Sequence, residues 1–361
     1  MSEVDYASSV AAASAFGAKL SEVEEHWKAR QPSFVEHGYS LRPRFRPGWE
    51  PSWRRDPTIY FLDAEDYWST HMLRPHLLDA RRLSDNKLVL LKRIKRDSTE
   101  LAIANYLSSE ELRHDPRNHC VPVLDVIPDV KDDSFCYMVM PFFRYIDDPP
   151  LETVDNMLDC CEQLFEGLSF LHEHGVAHRD CAYKNIMLDA EPLYPKGFHP
   201  ITSVSLPDDV TVSAPKLSRK NVPVKYYYID FGISTRFEPD EPHKLVTGTD
   251  GIEQLVPELS NDVPYDPFKV DVFVLGRMLY ETFFQKYANV DMIAPLVYDM
   301  VDPDPAKRPS AEDVLRRFQE IRRGVSALQA PWRLRPRDEP LVVTAVLETV
   351  SLVTAAFKSV F

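Results

Sequence analysis

Two short motifs constrain this chain more than any other feature of its sequence. Residues 178–185 read His-Arg-Asp-Cys-Ala-Tyr-Lys-Asn, and residues 230–232 read Asp-Phe-Gly after the β-rich run 226–229. The motifs place two carboxylates and one carboxamide at fixed offsets on what we predict to be tight loops. Phosphoryl transfer needs such a set, because the protein mainly has to position metal ions, a triphosphate and a hydroxyl. The spacing therefore indicates a fold built around a site for that chemistry.

The order and spacing of the two motifs resemble those of eukaryotic protein kinases. The resemblance covers roughly residues 75–325, and residues 41–49, 115–122 and 194–200 resemble a divergent kinase branch that is expanded in fungi. It implies an α+β bilobal protein-kinase-like fold, in which a small β-rich N-lobe precedes a larger helical C-lobe. The predicted elements agree with this order, because strand patterns come first and helix patterns later.

The resemblance gives catalytic or metal-binding roles to four residues. Asp180 would accept or orient the proton of the substrate hydroxyl, and Asn185 and Asp230 would hold the magnesium ions. Lys184 could reach the γ-phosphate. Ser/Thr kinases usually carry lysine at the position of Ala182, whereas many tyrosine kinases carry a cation at the position of Lys184, so this pattern leaves the acceptor residue open.

The resemblance also implies an ATP site on the N-terminal strands. Lys92 lies in a predicted strand and would grip the α- and β-phosphates, and Glu100 on the following helix would be its partner. Lys95 is an alternative lysine. Glu110 and Glu111 are alternative carboxylates, although they lie far along the helix.

Five further residues are expected around the adenine. Met140 would be the gatekeeper at the end of a strand, Pro141 would offer its carbonyl group and Phe143 its amide. Ala80 and Met187 would supply apolar surface on either side of the base. Ordinary core packing is the alternative for the two methionines, since methionines at such spacing are common in cores.

One expected part of a nucleotide site is missing. A glycine-rich loop should lie between residues 66 and 76, but this segment contains no glycine. Glycines let backbone N–H groups approach phosphates closely, whereas side chains with a Cβ hold the loop away. We therefore expect weakened nucleotide affinity.

The bulk composition excludes several classes of function. A formal net charge of −14 argues against a nucleic-acid partner, which would require a basic stripe. Five cysteines without a C-x-x-C pattern indicate a reducing compartment and no zinc site. The N-terminus carries Glu3 and Asp5 and lacks a basic region followed by an apolar block, so it does not resemble a signal peptide. We expect a cytoplasmic protein, with the nucleus as the alternative location.

The chain is predicted to have an extension, a kinase-like domain and a tail. The Pro- and Ser-rich segment at about 190–224 is expected to form an inserted surface loop in the C-lobe. The regions are the extension 1–58, the domain 59–325 with its N-lobe at about 59–143 and its C-lobe at about 144–325, and the tail 326–361.

Within these regions the apolar periodicity predicts the main elements. Residues 41–54 have no periodicity, and we expect them to form a solvated basic strap docked on an acidic body rather than a phosphate-binding segment. Five arginines lie in or beside the strap: Arg42, Arg44, Arg46, Arg54 and Arg55. The predicted elements are a helix around 20–26, strands at 77–80 and 88–94, a helix at 98–112, strands at 121–126 and 135–140, and a helix that includes 157–171.

Several positions are expected to support the fold around the site. Asp271 would brace the catalytic loop from below, and Arg308 would form a buried pair with Glu258. Thr247 and Thr249 are candidate phosphorylation sites on the segment that follows the Asp-Phe-Gly motif.

The C-terminal residues 341–361 carry only two charges, Glu348 and Lys358. On a helix, these charges fall on one narrow stripe with Thr344 and Ser351, which is an amphipathic pattern. A carboxylate near mid-span is costly in lipid. We therefore favour docking on protein over binding at a membrane interface or spanning a membrane.

These observations lead to one main functional hypothesis and two alternatives. We expect ATP–Mg²⁺-dependent transfer of the γ-phosphoryl group to a Ser or Thr hydroxyl of a protein substrate, with Tyr as the less favoured acceptor. The first alternative is a pseudokinase scaffold with weak nucleotide binding, because the glycine-rich loop is absent. The second is a small-molecule kinase, since fold does not fix the substrate.

Overall fold

The computed structural model describes residues 3–69, 74–325, 332–340 and 343. The chain divides into two compact units. The first comprises Met1–Asp115, Cys120–Arg144 and Asp189–Val224, and the second comprises Pro116–His119, Tyr145–Leu188 and Lys225–Phe361. The first unit contains a five-stranded β-sheet together with several helices, and helices dominate the second unit.

The helices are α1 (Glu3–Gly17), α2 (Glu22–Lys28), α3 (Gln31–Glu36), α4 (Ser52–Arg55), α5 (Thr99–Leu107), α6 (Val154–Glu173), α7 (Pro267–Leu279), α8 (Ala294–Met300) and α9 (Ala311–Gly324). The strands are β1 (Tyr39–Ser40), β2 (Leu77–Arg82), β3 (Leu88–Lys95), β4 (Asp125–Pro128), β5 (Phe135–Pro141), β6 (Arg144–Tyr145), β7 (Val176–Ala177), β8 (Ile186–Asp189), β9 (Ser205–Leu206), β10 (Asp209–Ser213), β11 (Lys225–Tyr228), β12 (Thr235–Arg236), β13 (Val246–Gly248) and β14 (Ser260–Tyr265).

The first unit is built on a five-stranded antiparallel sheet in the order β1-β2-β3-β5-β4. The predicted hairpin forms from β2 and β3, and its turn places Asn86 at φ 58°, a left-handed conformation that asparagine tolerates. Two boundaries differ from the predictions by more than two residues. Helix α5 ends at Leu107 rather than 112, and β4 begins at Asp125 rather than 121.

One face of this sheet is covered by the N-terminal residues of the chain. These residues and the strands form one continuous apolar cluster in which Trp27 is fully buried. The cluster consists of Trp27, Phe34, Tyr39, Leu41, Phe45, Leu78, Ala80, Val89, Leu91, Ile127, Tyr137 and Val139. The expected boundary between an extension and a domain at residue 58 therefore has no counterpart in the packing, because residues from both sides of it share one core.

The edge of the sheet shows how the missing glycine-rich loop is replaced. Strand β1 pairs antiparallel with β2, with Tyr39 opposite Arg82 and Ser40 opposite Arg81. Residues 41–76 connect these two neighbouring strands. The predicted loop at 66–76 is thus only the end of a much longer connection, which contains α4 and several single helical turns. Residues 70–73 lie outside the described part.

The basic strap is only partly solvated, which differs from the prediction. The side chains of Arg42 and Arg44 are buried, whereas Arg46, Arg54 and Arg55 are exposed. A buried guanidinium requires partners that repay its desolvation. Arg44 pairs with Glu24 and donates to the carbonyl oxygens of residues 17 (2.7 Å), 19 (3.0 Å) and 66 (3.1 Å). The strap is therefore anchored in the first unit by its two buried arginines, while its other arginines face solvent.

The inserted segment 190–224 also belongs to the first unit rather than to the C-lobe. It contains the hairpin β9–β10 and packs against the residues that follow β5. The Phe198 ring lies 6.0 Å from that of Phe142, and the Arg144 guanidinium lies 4.7 Å above Phe198 and 4.8 Å above Tyr194. Arg144 also donates to the carbonyl oxygen of Ser203 at 2.7 Å. These contacts define a packed element and not a free loop.

The second unit is organised around α6. Thr153 caps its N-terminus in a capping box with Asn156, and the predicted apolar stripe on this helix is buried. Phe165 on α6 and Phe318 on α9 meet edge to face at 5.1 Å. No helix in the described ranges has the length and apolarity needed to cross a membrane. The predicted amphipathic tail at 341–361 lies outside the described residues except for position 343.

Candidate active site

The catalytic loop in the second unit is held from below by a buried carboxylate. Asp271 on α7 is fully buried and accepts hydrogen bonds from the backbone N–H groups of His178 (2.8 Å) and Arg179 (2.5 Å). Arg179 adopts φ 68°, a left-handed conformation that costs an arginine roughly 1–2 kcal/mol. The two hydrogen bonds offset this cost. The structure thus places Asp271 where the sequence predicted a brace.

The carboxylate of Asp180 is oriented by two donors. The Asn185 side chain donates Nδ2–H to Oδ2 at 2.7 Å, and the backbone N–H of Ile252 donates to Oδ1 at 2.8 Å. Because Nδ2 of Asn185 is the donor, Oδ1 of its carboxamide is the atom that can act as a metal ligand. Asp180 and Asn185 are therefore neighbours, as their spacing predicted, whereas the contact from Ile252 was not predicted.

Asp230 is placed near this pair by a backbone contact of the preceding residue. The N–H of Ile229 donates to the carbonyl oxygen of Asn185 at 2.9 Å, and Asp230 itself adopts φ 64°. A carboxylate and a carboxamide are the hard oxygen ligands that Mg²⁺ prefers, and Mg²⁺ completes its shell with waters and substrate phosphates. The described residues contain no cluster of three His, Cys, Asp or Glu side chains that could hold a metal alone. The residues present therefore fit a magnesium ion that is shared with phosphates.

Lys184 and Tyr183 complete the catalytic loop. The Lys184 side chain is exposed, in a position to meet a ligand rather than the core. The Tyr183 ring stacks on Tyr145 at 5.4 Å, and its hydroxyl donates to Asp147. Burial and the neighbouring Asp147 carboxylate raise the pKa of Tyr183. The sequence analysis did not single out Tyr183, although its place inside the motif was a signal.

In the first unit, Lys92 and Glu100 form the predicted pair. Lys92 Nζ lies 2.5 Å from Glu100 Oε1, and about one tenth of each side chain is exposed. Ser98 caps α5 and so fixes the first turn that carries Glu100. The alternative Lys95 is exposed at the end of β3. The geometry therefore favours Lys92 over Lys95.

The register of the sheet separates the residues predicted to line the adenine. Leu90 on β3 is opposite Met140 on β5 and opposite Asp79 on β2, so these three side chains share the face that carries Lys92. Ala80 lies on the other face, inside the apolar core. The prediction for Ala80 was wrong, because side chains alternate along a strand and Asp79 occupies the position on the Lys92 face.

The other predicted base contacts are divided between the units. Pro141 ends β5 opposite Val89, and Phe143 follows it as a half-buried residue. Met187 lies on β8 in the second unit, and only 8% of its surface is exposed. Their roles toward a nucleotide remain predictions.

A buried polar network reaches the Lys92 face from the strap. Arg42 donates Nε–H to Asp79 Oδ2 at 2.7 Å and Nη1–H to Glu65 Oε1 at 3.2 Å. The Nε2 of His199, on the inserted segment, lies 3.2 Å from the same Glu65 oxygen. Asp79 Oδ1 and Arg42 Nη2 are buried without a hydrogen-bond partner. Sequence reasoning missed this network, since 134 positions separate Glu65 from His199.

The charges of this network are fixed by their mutual contacts. Desolvation opposes the positive charge of Arg42, but Asp79 and Glu65 outweigh it and raise the pKa of Arg42. Desolvation likewise opposes the negative charge of Glu65, but the hydrogen bond from His199 and the charge of Arg42 hold the pKa of Glu65 below its ordinary value. Two carboxylates around one guanidinium leave the network without spare positive charge for a phosphate.

The segment after the Asp-Phe-Gly motif forms the hairpin β13–β14. Arg179 donates from Nη1 to the carbonyl oxygen of Ile233 at 3.0 Å and from Nη2 to that of Thr247 at 3.1 Å. Both candidate phosphorylation sites, Thr247 and Thr249, are exposed. The structure therefore places Arg179 against the segment that carries the two candidate phosphorylation sites.

The predicted buried pair between Arg308 and Glu258 is bidentate. Arg308 Nη1 and Nη2 lie 2.5 Å and 2.9 Å from the two Glu258 oxygens, and the Arg308 side chain is fully buried. Arg308 also donates to the carbonyl oxygens of Asp302 (2.7 Å) and Lys269 (3.0 Å). The pair lies at the end of the segment that follows the Asp-Phe-Gly motif. It ties the chain there to α7 and to the residues before α9.

Comparison with known proteins agrees with this geometry. Residues 77–291 match the family model described as "Protein kinase domain", a match that begins at the first residue of β2. The chain is 27% identical over 179 residues to the "Wee1-like protein kinase" of Oryza sativa subsp. japonica, which covers 44% of this chain and 27% of that protein. It is 26% identical over 158 residues to "Serine/threonine-protein kinase CAK1" of Saccharomyces cerevisiae, which covers 42% and 33%.

A third relative is "Serine/threonine-protein kinase BCK1/SLK1/SSP31" of Saccharomyces cerevisiae. The identity is 23% over 198 residues, which covers 54% of this chain and 11% of that protein. In all three cases the aligned region spans a third or less of the relative's own length.

Proposed function

Because this chain belongs to the protein kinase family, we propose that it transfers the γ-phosphoryl group of ATP to a hydroxyl of a protein substrate. The observation that carries the proposal is the arrangement of the catalytic loop. Asp180 is a hydrogen-bond neighbour of Asn185, and Asp271 fixes the backbone of the same loop. A loop that presents one oriented carboxylate beside a metal-ligating carboxamide is suited to phosphoryl transfer.

Each residue of the candidate site has a separate role in the proposed reaction. Asp180 accepts or orients the hydroxyl proton as the oxygen attacks, and Lys184 offers a positive charge to the transferring group. Lys92, held by Glu100, grips the α- and β-phosphates. Asn185 and Asp230 would hold magnesium, which when bound neutralises the charge on the phosphate oxygens.

Serine or threonine is the proposed acceptor residue, and tyrosine is the less favoured one. Two of the relatives named above are described as serine/threonine-protein kinases, which supports this choice. The braces formed by Asp271 and by the Glu258–Arg308 pair support a protein substrate over a small molecule, since they order the segment that would receive a peptide.

Single replacements of the two aspartates test the proposal. We expect Asp180→Asn to lower phosphotransfer to a generic protein substrate by at least 10²-fold while ATP affinity stays within about twofold, since Asp180 acts on the hydroxyl. Asp230→Asn should also weaken Mg²⁺-dependent ATP binding. Asp240→Asn, an exposed aspartate of the same unit, serves as the control. Equal transfer rates for the unmodified protein and Asp180→Asn would refute an enzymatic role.

A second candidate is a scaffold that binds nucleotides weakly. The observation that favours it is the segment 41–76, which replaces a short glycine-rich connection and places Arg42 against Asp79 on the Lys92 face. Side chains with a Cβ in place of glycines hinder close backbone approach to phosphates, and the positive charge of Arg42 is already paired with Asp79 and Glu65. Calorimetry with adenosine and ATP in the absence of Mg²⁺ separates the two. The scaffold predicts similar affinities, and a large gain from the β- and γ-phosphates would contradict it.

We also propose that the protein acts in the cytoplasm or the nucleus and has no nucleic-acid partner. The net charge of −14 and five cysteines without a disulfide pattern support this location. Fluorescence microscopy of the tagged full-length chain tests it, and accumulation in the secretory pathway would contradict it.

A further inference from the structure

The segment between β13 and β14 touches the catalytic carboxylate through its backbone. The N–H of Ile252 donates to Asp180 Oδ1 at 2.8 Å. The Ile252 side chain is 48% exposed and that of Leu255 is 64% exposed, so this stretch is not held by apolar packing. Its amide group, and not a side chain, makes the contact with the site.

The local chain conformation is adapted to deliver this amide. Gly251 adopts φ +120°, a conformation that side chains with a Cβ rarely adopt. A Cβ at this position would also lie 3.3 Å from the Arg179 carbonyl oxygen and 3.5 Å from Asp180 Oδ1. Gln254 closes the turn by donating from Nε2 to the carbonyl oxygens of Gly251 (2.8 Å) and Thr249 (3.1 Å).

The catalytic loop itself supplies few donors to Asp180. Asn185 serves Oδ2, and the position two residues after Asp180 carries Ala182, which has no polar group. Without a second donor, the carboxylate would be free to rotate about its bond to Cβ. Each carboxylate oxygen can accept two hydrogen bonds, so Oδ1 can receive the Ile252 amide and still accept a substrate hydroxyl.

We propose that the backbone amide of Ile252 is a positioning group for Asp180. The inference rests on the proposed phosphotransfer function. The amide fixes one oxygen while Asn185 fixes the other, which holds the carboxylate plane toward the hydroxyl. A misplacement of about 1 Å in a catalytic group can cost roughly 10²-fold in rate, so loss of this donor should reduce kcat. Nucleotide affinity should not change, because the amide donates to Asp180, whose proposed role is to act on the substrate hydroxyl.

Proline at position 252 removes the amide hydrogen and tests the idea. We expect Ile252→Pro to lower kcat about 10- to 100-fold while KM for ATP stays within about twofold. Leu255→Pro is the matched control, since it removes an amide from the same exposed stretch whose only acceptor is the nearby Glu253 side chain. Leu255→Pro should retain the rate of the unmodified protein.

Gly251→Ala provides an independent variant if proline disturbs the hairpin. It keeps the amide hydrogen but disfavours the backbone conformation that aims it, so kcat should again fall with KM for ATP retained. An unchanged or increased kcat in Ile252→Pro, with unaltered thermal melting, would show that the amide is dispensable or blocks the site, and would overturn the inference. Absence of transfer by the unmodified protein would instead refute the proposed function on which it depends.

Discussion

At the scale of single residues, His26 makes the stability of the first unit depend on pH. Its Nε2 lies 3.0 Å from the Tyr137 hydroxyl, which donates to Asp129 at 3.0 Å. Burial lowers the pKa of His26 from 6.5 to about 4, and the positive charges of Arg30 and Arg93 act in the same direction. The folded state therefore favours the neutral ring.

The lowered pKa of His26 makes the protein less stable at acidic pH. A depressed histidine pKa gives stability that is complete above pH 6.5 and is lost as the pH falls toward 4. We expect about 1–2 kcal/mol of unfolding free energy to be lost between pH 7 and pH 5, after allowance for partial exposure of the ring. Chemical unfolding of the unmodified protein and of His26→Gln at both pH values measures this contribution.

The exposed His114 supplies the control for this measurement. His114→Gln should keep the pH dependence, whereas His26→Gln should flatten it. Desolvation would raise the pKa of Asp129, but hydrogen bonds from Arg30 and the Lys131 amide outweigh it and lower the value. The stability that Asp129 contributes is lost only below pH 3.8, which lies outside the tested range of pH 5 to 7. Equal slopes for His26→Gln and the unmodified protein would contradict the assignment.

The bidentate pair of Arg308 and Glu258 is a second point at which one residue carries much of the local stability. Arg308→Ala leaves a carboxylate facing a dry pocket, so we expect a loss of about 3–5 kcal/mol in the unfolding free energy. Arg308→Lys should recover only part of it, because lysine has no fork geometry. The exposed Arg316→Ala is the control. Denaturant titration measures all three, and a loss below about 1 kcal/mol for Arg308→Ala would be inconsistent with a buried pair.

At the scale of elements, the strap is held by ion pairs and by buried apolar side chains rather than by its own secondary structure. Its only described α-helix, α4, has four residues and could not persist alone. Arg42 instead links the strap to β2 through Asp79, and it also pairs with Glu65, which contacts His199 of the inserted segment. The strap, the sheet edge and the insert therefore form one structural unit.

These contacts predict that replacing Arg42 destabilises the protein strongly, whereas replacing the exposed Arg54 does not. Arg42→Met leaves Asp79 buried without its cation, and we expect a loss of about 3–5 kcal/mol together with faster proteolysis of both the strap and the insert. Arg54→Met, an exposed change in the same region, should alter neither. Unfolding curves and limited proteolysis followed by mass spectrometry test the pair. Cleavage of the strap alone in Arg42→Met would show that the insert is anchored independently.

At the scale of the whole molecule, the first unit includes the N-terminal residues in its core. Trp27 and Phe34 pack on Tyr137 with ring centroids 5.3 Å and 4.9 Å apart. Removing these rings would expose the apolar face of the sheet, which carries a row of Leu and Val side chains. A chain that starts at residue 59 should therefore lack five of the twelve residues of this cluster.

We predict that a protein comprising residues 59–361 is insoluble or fails to unfold cooperatively. In the full chain, Trp27→Ala should cost about 3–5 kcal/mol, because it leaves a large cavity against the sheet. Phe16→Ala, at a side chain that is 70% exposed, should cost little and serves as the control. Solubility, circular dichroism and calorimetric melting measure these outcomes. A soluble 59–361 chain with an unchanged melting temperature would restore the boundary at residue 58.

The sequence by itself determined the parts of this protein whose information is local. The offset from Asp180 to Asn185 fixes their contact within one loop, and a period of two or 3.6 residues revealed β2, β3 and α6. The Lys92–Glu100 pair was implied by the resemblance of the sequence to kinases, and the two side chains meet in the structure. Strong local patterns of this kind are little altered by distant packing.

Only the tertiary structure decided the parts that depend on what lies opposite a segment. The strap has no periodicity, so nothing in its sequence distinguishes the buried Arg42 from the exposed Arg54. The sheet register moved Ala80 to the core and brought Asp79 to the Lys92 face, because a shift of one residue reverses the side of a strand. The Ile252 amide is a backbone group common to almost all residues, and only the fold aims it at Asp180. Burial and backbone direction are properties of the packed chain, and they therefore settle these contacts.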